Sequence, residues 1–211
     1  MKKLQGKFID FAIQYSVLQF GKFILKSGRI SPYFFNAGNF NDGQALNVLG
    51  EAYAELYEAH NITTPHLFGP AYKGISLATA TSIALARKNI NATVTFNRKE
   101  AKDHGEGGML VGATIKGATT IIDDVITRGT AFNEAKSLIE ANGGKVQNLL
   151  LLLNRCERGA TNKSTIQEVQ DLGINVYAII DVFDIVEYLK NNNQNQDAER
   201  ILEYQREYAP L

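Results

Sequence analysis

One short run constrains this chain more than any other: TTIIDDVITRGTA, at 119–131. β-branched apolar residues lead directly into two adjacent carboxylates, Asp123 and Asp124, and then into a turn carrying Thr127, Gly129 and Thr130. Beyond it, Phe132, Ala135, Leu138 and Ile139 recur at helical spacing. The pattern predicts a buried strand that delivers a loop to a helix N-terminus, where unpaired backbone N–H groups favour an anion. Gly129 admits close backbone approach, the threonine hydroxyls add donors, and the paired acids can accept hydrogen bonds from a diol. Phosphate at one end and vicinal hydroxyls at the other describe a ribose phosphate. A strand–turn–helix with a solvated acid pair would read the same way in isolation. A Walker loop does not fit, because no glycine-lysine-hydroxyl step stands at the required spacing.

The rest of the chain supplies a matching frame. Helical periodicity is expected over 8–17, 44–60, 75–87, 130–142, 165–172 and 197–208, and strands over 20–26, 31–35, 66–68, 93–96, 119–122, 146–153 and 176–180. The first two strands flank a Ser27-Gly28-Arg29 turn signal and suggest a hairpin. Thereafter strands alternate with helices, which implies a mainly parallel sheet. The stretch 149–153 is apolar on both faces, as a central parallel strand should be. The expectation is an α/β fold in one domain over 1–211: an N-terminal hood segment over 1–40, a core over 41–190, and a polar linker with a final helix over 191–211.

Composition narrows the partners. Twenty-two basic residues balance 22 acidic ones, so the chain exerts no global attraction on nucleic acid or anionic lipid, and neither is an expected partner. A polyanion must be caught by a local cluster. One cysteine, Cys156, leaves no intrachain disulfide, and with three histidines a zinc centre is not expected. The N-terminus lacks the apolar core of a signal peptide, and the cytoplasm is the expected compartment.

Three further segments bear on a ribose phosphate ligand. Residues 69–74, GPAYKG, join a strand to a helix and place Lys73 near that helix's N-terminus, which suits a pyrophosphate; an ordinary βα connection with an exposed lysine has the same spacing. Residues 98–108 show no periodicity and read as a polar loop carrying Arg98, Lys99, Lys102 and His104 among Glu100, Asp103 and Glu106. Such a loop can close on a departing anion and reopen, although a solvated charged loop is the plainer alternative. Residues 26–38 bring aromatic side chains beside a glycine-bearing turn, fit to cover a flat heterocycle or simply to pack a hairpin core. Arg155 follows the strand ending at Leu153 and is placed to grip a carboxylate, or to lie on the surface.

Taken in order, KSGRISPYFFNAG, FGPAYKGI, FNRKEAKDHGEGG, IIDDVITRGTA and RCERG resemble the bacterial orotate phosphoribosyltransferases, members of the type I phosphoribosyltransferase family. The similarity runs from Phe8 to Tyr188 and weakens in the tail. It implies Mg²⁺-dependent transfer of a phosphoribosyl group from 5-phosphoribosyl 1-diphosphate to orotate, with Mg²⁺ held mainly by the donor and waters, in a homodimer with shared sites. It implies that Lys26, Tyr72 and Lys73 meet the donor; that Arg98, Lys99, Lys102 and His104 lie on a catalytic loop, the last three reaching a neighbouring subunit; and that Asp123 and Asp124 bind the ribose hydroxyls. Val125 and Ile126 would also meet the donor, Thr127, Arg128, Gly129, Thr130 and Ala131 would cradle its 5-phosphate, and Phe34, Phe35, Thr127 and Arg155 would meet orotate. Arg128, Cys156 and Asn154 depart from the residues common in those enzymes. A transferase for another base, or a nucleotide-sensing regulator on the same fold, would share the ribose phosphate run alone.

Overall fold

The computed structural model describes residues 2–25, 27–102, 108–159 and 161–210. It opens with helix α1, Lys2–Gln14, which buries Phe8, Ile9 and Ala12 on one face. The helix ends three residues before the expected boundary because Ser16 turns left-handed at φ 52°, with Val17 N–H donating to the Ala12 carbonyl and Ser16 N–H to that of Ile13. Those two bonds form a Schellman cap. Val17, fully buried, then leads into β1, Leu18–Ile24, paired antiparallel with β2, Ile30–Phe35. The expected hairpin is present, its first strand two residues earlier than the alternation indicated.

After α2 (Gly43–Ala59) the chain alternates: β3 (His66–Gly69), α3 (Lys73–Arg87), β4 (Thr93–Lys102), β5 (Gly108–Gly112), β6 (Gly117–Ile122), α4 (Thr130–Ala141), β7 (Gly144–Asn154), α5 (Thr165–Asp171) and β8 (Asn175–Asp181). Helices α6 (Val182–Asn191) and α7 (Asn195–Tyr208) close the fold. Six strands pair in the order β5-β4-β3-β6-β7-β8, all neighbours parallel except β4 with β5. Strand order reverses between β3 and β6, and ligands of open parallel sheets bind at the carboxyl ends of the strands beside such a reversal. The loops leaving those two strands are 69–74 and 123–129.

Apolar side chains pack on both sides of the sheet. Leu150 and Leu152 of β7 join the larger cluster, with α1, α2, α3, α6 and α7, while Leu149 and Leu151 join the smaller one with Phe132 and Ile139 of α4. That is the doubly apolar strand expected of 149–153. α7 buries Ala198 and Ile201 in the larger cluster. Among the described residues no helix is long and apolar enough to cross a membrane.

Two elements differ from the sequence expectation. Residues 98–108 are not an irregular loop along their whole length: β4 continues to Lys102, and β5 returns against it with Phe96 opposite Val111, Asn97 opposite Leu110 and Lys102 opposite Gly108. Backbone pairing builds this arm, so no apolar alternation marks it. Helix α6 was not expected either. Its start is fixed by a capping box in which Asp181 accepts from Asp184 N–H and Asp184 accepts from Asp181 N–H.

Candidate active site

The acid pair remains tied to the sheet. Asp123 N–H donates to the Leu150 carbonyl at 3.0 Å, Leu152 N–H donates to that of Asp124 at 2.8 Å, and the Tyr53 hydroxyl of α2 donates to the Asp123 carbonyl at 2.6 Å. The carboxylates are thus fixed by their backbone. Asp124 is buried and accepts from the Lys73 ammonium at 2.6 Å. Asp123 is half-buried; its burial, and next the neighbouring Asp124 charge, push its pKa up to about 7. Two adjacent carboxylates in a poorly solvated place resist double ionisation.

Gly129, at φ 72°, turns the chain into α4 and leaves that helix without a side-chain cap. Its first N–H groups are therefore free to meet a ligand anion. Asp123 and residues 125–132 line a cleft of about 290 Å³ floored by Leu149 and Leu151. Thr127, Arg128, Thr130 and Ala131 are exposed along it. The turn is held from behind: the Thr165 hydroxyl, at the start of α5, donates to the Thr127 carbonyl at 2.6 Å. Sequence reading missed Thr165 and Tyr53. The Ser164–Gln167 capping box was detectable, but nothing local shows a hydroxyl reaching across 38 residues.

The 69–74 loop is pressed against this turn. A Cβ on Gly69 would lie 2.2 Å from the Gly74 carbonyl oxygen, and one on Gly74 would lie 2.9 Å from the Ile122 oxygen, so both positions require glycine. The Ala71–Tyr72 peptide bond is cis, and Ala71 N–H donates to Asn97 Oδ1 at 3.0 Å. This packing sets Lys73 in the first turn of α3 and against Asp124. Tyr72 is largely exposed, with the Lys99 ammonium 5.8 Å from its ring centroid, within cation–π range.

The other predicted residues have partners of their own. Arg98 donates to the Gly108 and Leu110 carbonyls at 3.0 and 3.3 Å, bracing the β4–β5 arm. Phe34 and Phe35 face opposite ways: Phe34 is exposed and stacks on Phe23 at 5.4 Å, whereas Phe35 is packed in the core and offers only its backbone. Arg155 is not a surface arginine. It is largely buried, donates from Nε to Glu157 Oε1 at 2.8 Å and from Nη2 to Ser31 Oγ at 3.3 Å, and stacks on the Tyr33 ring at 4.3 Å. Among the described residues no hydrogen bond joins Arg98 or Arg155 to Asp123 or Asp124. Lys26, His104 and the side chain of Lys102 lie outside the described residues.

No protein-family model matches the chain. Curated relatives do, nearly end to end. An orotate phosphoribosyltransferase of Legionella pneumophila (strain Paris) is 53% identical over 209 residues, covering 99% of this chain and 100% of the relative. One of Edwardsiella ictaluri (strain 93-146) is 52% identical over 192 residues, 90% of each chain. The 1.9 Å crystal structure of orotate phosphoribosyltransferase from Francisella tularensis aligns with a TM-score of 0.86 at 40% identity, covering 96% of this chain and 95% of that one. A cleft built where the sheet reverses, an acid pair beside an uncapped helix, and this extent of identity lead to one assignment: the chain belongs to the orotate phosphoribosyltransferase family.

Proposed function

We propose that this protein transfers the phosphoribosyl group of 5-phosphoribosyl 1-diphosphate to a ring nitrogen of orotate, yielding orotidine 5-monophosphate and pyrophosphate in pyrimidine nucleotide synthesis. One observation carries the reading: Asp123 and the uncapped N-terminus of α4 face a single cleft, with the turn backbone between them. That cleft offers hydroxyl acceptors and a phosphate site at the two ends of one sugar phosphate.

The roles follow from chemistry. The α4 N–H groups, with the hydroxyls of Thr127 and Thr130, receive the 5-phosphate, and Arg128 adds a cation at the rim. Asp123 and Asp124 accept from the ribose hydroxyls. As the C1–oxygen bond to pyrophosphate lengthens, positive charge grows on the sugar ring, and the two carboxylates stabilise it through those hydroxyls. Lys73 and Tyr72 stand at the pyrophosphate end. Arg98, Lys99 and Lys102 share the β4–β5 arm, which caps the departing anion. The orotate nitrogen supplies the electron pair for the new C1–nitrogen bond, so no covalent enzyme intermediate is required. Phe34, the Phe35 backbone and Arg155 define the base side. The roles of Lys26 and His104 rest on the family resemblance.

Mg²⁺ fits this donor set through hard oxygen chemistry, with Asp123 and Asp124 as the neighbouring protein oxygens and the donor's own oxygens and waters as its main ligands. When bound, it neutralises pyrophosphate charge. We further propose one functional domain with the β1–β2 hairpin as a hood, a homodimer with shared sites, and a cytoplasmic location, in keeping with a single half-buried cysteine.

The test follows orotate absorbance after addition of Mg²⁺ and donor. Turnover with orotate, and none with hypoxanthine, adenine or uracil, is the expected result. Turnover with another base alone, or nucleic-acid binding near physiological salt without turnover, overturns the reading.

A further inference from the structure

On the base side of the site Arg155 sits in a charge network whose other members have no part in the proposed roles. Glu157 places Oε1 against Arg155, 2.8 Å from Nε and 2.7 Å from Nη2. Its Oε2 accepts from Arg29 Nη1 at 3.3 Å and from the Tyr204 hydroxyl at 3.1 Å. Arg29, in the hairpin turn, also donates to the Arg158 carbonyl and lies over the Tyr208 ring at 4.6 Å. From α7, Gln205 donates to the Arg155 carbonyl at 3.0 Å, and Arg158 N–H donates to the Tyr208 carbonyl at 2.8 Å. Three parts of the chain distant in sequence thus converge on one guanidinium: the hood hairpin, the segment after β7, and the C-terminal helix.

We propose that Glu157 is the positioning residue of the base subsite, and that α7 holds it in place through Tyr204. The inference rests on the reading that Arg155 grips the orotate carboxylate. A free arginine side chain samples many rotamers, and a bidentate grip needs one of them. Here one edge of the guanidinium is fixed by Glu157, and its face lies on Tyr33. Among the described residues Glu157 is the one carboxylate paired with both Arg29 and Arg155, so the guanidinium is tied to the hairpin turn as well as to α7. The tail is therefore part of the specificity apparatus rather than an appendage.

The test compares binding of orotidine 5-monophosphate with uridine 5-monophosphate, which has the same sugar phosphate but no carboxylate. Glu157→Gln should weaken the first by about tenfold and leave the second within about twofold, the scale of one charge-assisted hydrogen bond. Tyr204→Phe, which removes only a hydroxyl, should act in the same direction by about threefold, and it carries the test should Glu157→Gln fail to fold. Equal losses for both nucleotides, or no loss for either, overturn the proposal. Arg155→Ala separates the two levels. If it abolishes the preference for the carboxylated nucleotide while Glu157→Gln and Tyr204→Phe do not, only the positioning role fails; if it leaves the preference intact, the carboxylate grip itself is wrong.

Discussion

The Lys73 ammonium lies 2.6 Å from Asp124 Oδ2, joining the loop after β3 to the acid pair after β6. Lys73 is half-exposed and Asp124 nearly buried, so the cation can swing outward while the carboxylate stays. On the proposed roles the pair stands between the ribose hydroxyls, at Asp124, and the pyrophosphate, at Lys73. Lys73→Met and Asp124→Asn should each lower kcat/KM for the donor by about 10²-fold, as loss of one preorganised charged group does. The double variant should lose much less than the product, because the groups act as a unit. Both singles should melt near the native temperature, since an ion pair with an exposed partner adds little stability. Steady-state kinetics on the four proteins decides it, and fully multiplicative losses would separate the two roles.

Asp123 makes stability and binding respond oppositely to pH. Its carboxyl releases a proton near 3.8 when unperturbed and near 7 in the fold. Between those values the native chain holds a proton that the unfolded chain has lost, so this group's contribution to stability declines as pH rises through the window. Donor binding should strengthen over the same interval, because the ionised carboxylate is the better acceptor for a hydroxyl. Asp123→Asn should flatten the first trend, melting higher than the native protein at pH 8, and weaken donor binding. His66, buried and held below its ordinary 6.5, loses stability in the opposite direction as pH falls. The informative quantity is thus the difference between variant and native melts at each pH. No pH dependence in that difference would remove the raised carboxyl.

The fold and the site were legible to different depths. The 119–131 turn could be read because each part is local: a β-branched strand, two acids, and a glycine where the backbone turns left-handed at φ 72°. The parallel order followed from alternating elements and the doubly apolar 149–153 strand. The β4–β5 arm was invisible because beyond Asn97 the register is irregular and charged residues of β4 carry no apolar alternation, the pairing resuming at Lys102 opposite Gly108. Helix α6, by contrast, was legible: Val182, Ile185, Val186 and Leu189 recur at helical spacing behind the Asp181–Asp184 capping box. Phe34 and Phe35 looked equivalent as a pair, yet strand alternation sends one ring outward and the other into the core. The Arg29–Glu157–Tyr204 contacts span 128 and 47 residues, and contacts of that range leave no periodic trace.

Gly129 combines two constraints at the phosphate end. An alanine there must hold a positive φ, costing about 1 kcal/mol. Its Cβ would also sit 3.1 Å from Thr165 Cγ2, pressing on the residue that holds the Thr127 carbonyl. Gly129→Ala should therefore melt a few degrees lower and lose more in phosphate affinity than in stability. Ribose 5-phosphate should raise the native melting temperature by ligand linkage and raise the variant's far less. Equal protection of both proteins would show that the anion binds elsewhere.

The β4–β5 arm extends past the sheet, pairing Lys102 with Gly108, and Lys99 meets Tyr72 of the same chain. Lys102→Ala should cut turnover by about 10²- to 10³-fold, as removal of one donor to developing charge does, and a loss under about threefold would take the arm out of the chemistry. Whether Lys102 serves its own site or a neighbour's is decided by mixing. Lys102→Ala and Asp124→Asn chains are each nearly inactive alone. If the arm crosses to a second subunit, a mixed dimer holds one site with both residues native, and random exchange between equal amounts should restore roughly a quarter of native turnover. If the arm closes on its own chain, each site in the mixed dimer keeps one defect and activity stays at the level of the separate variants. A recovered rate that rises with time of subunit exchange, and is absent when either variant is mixed with itself, would establish the shared site.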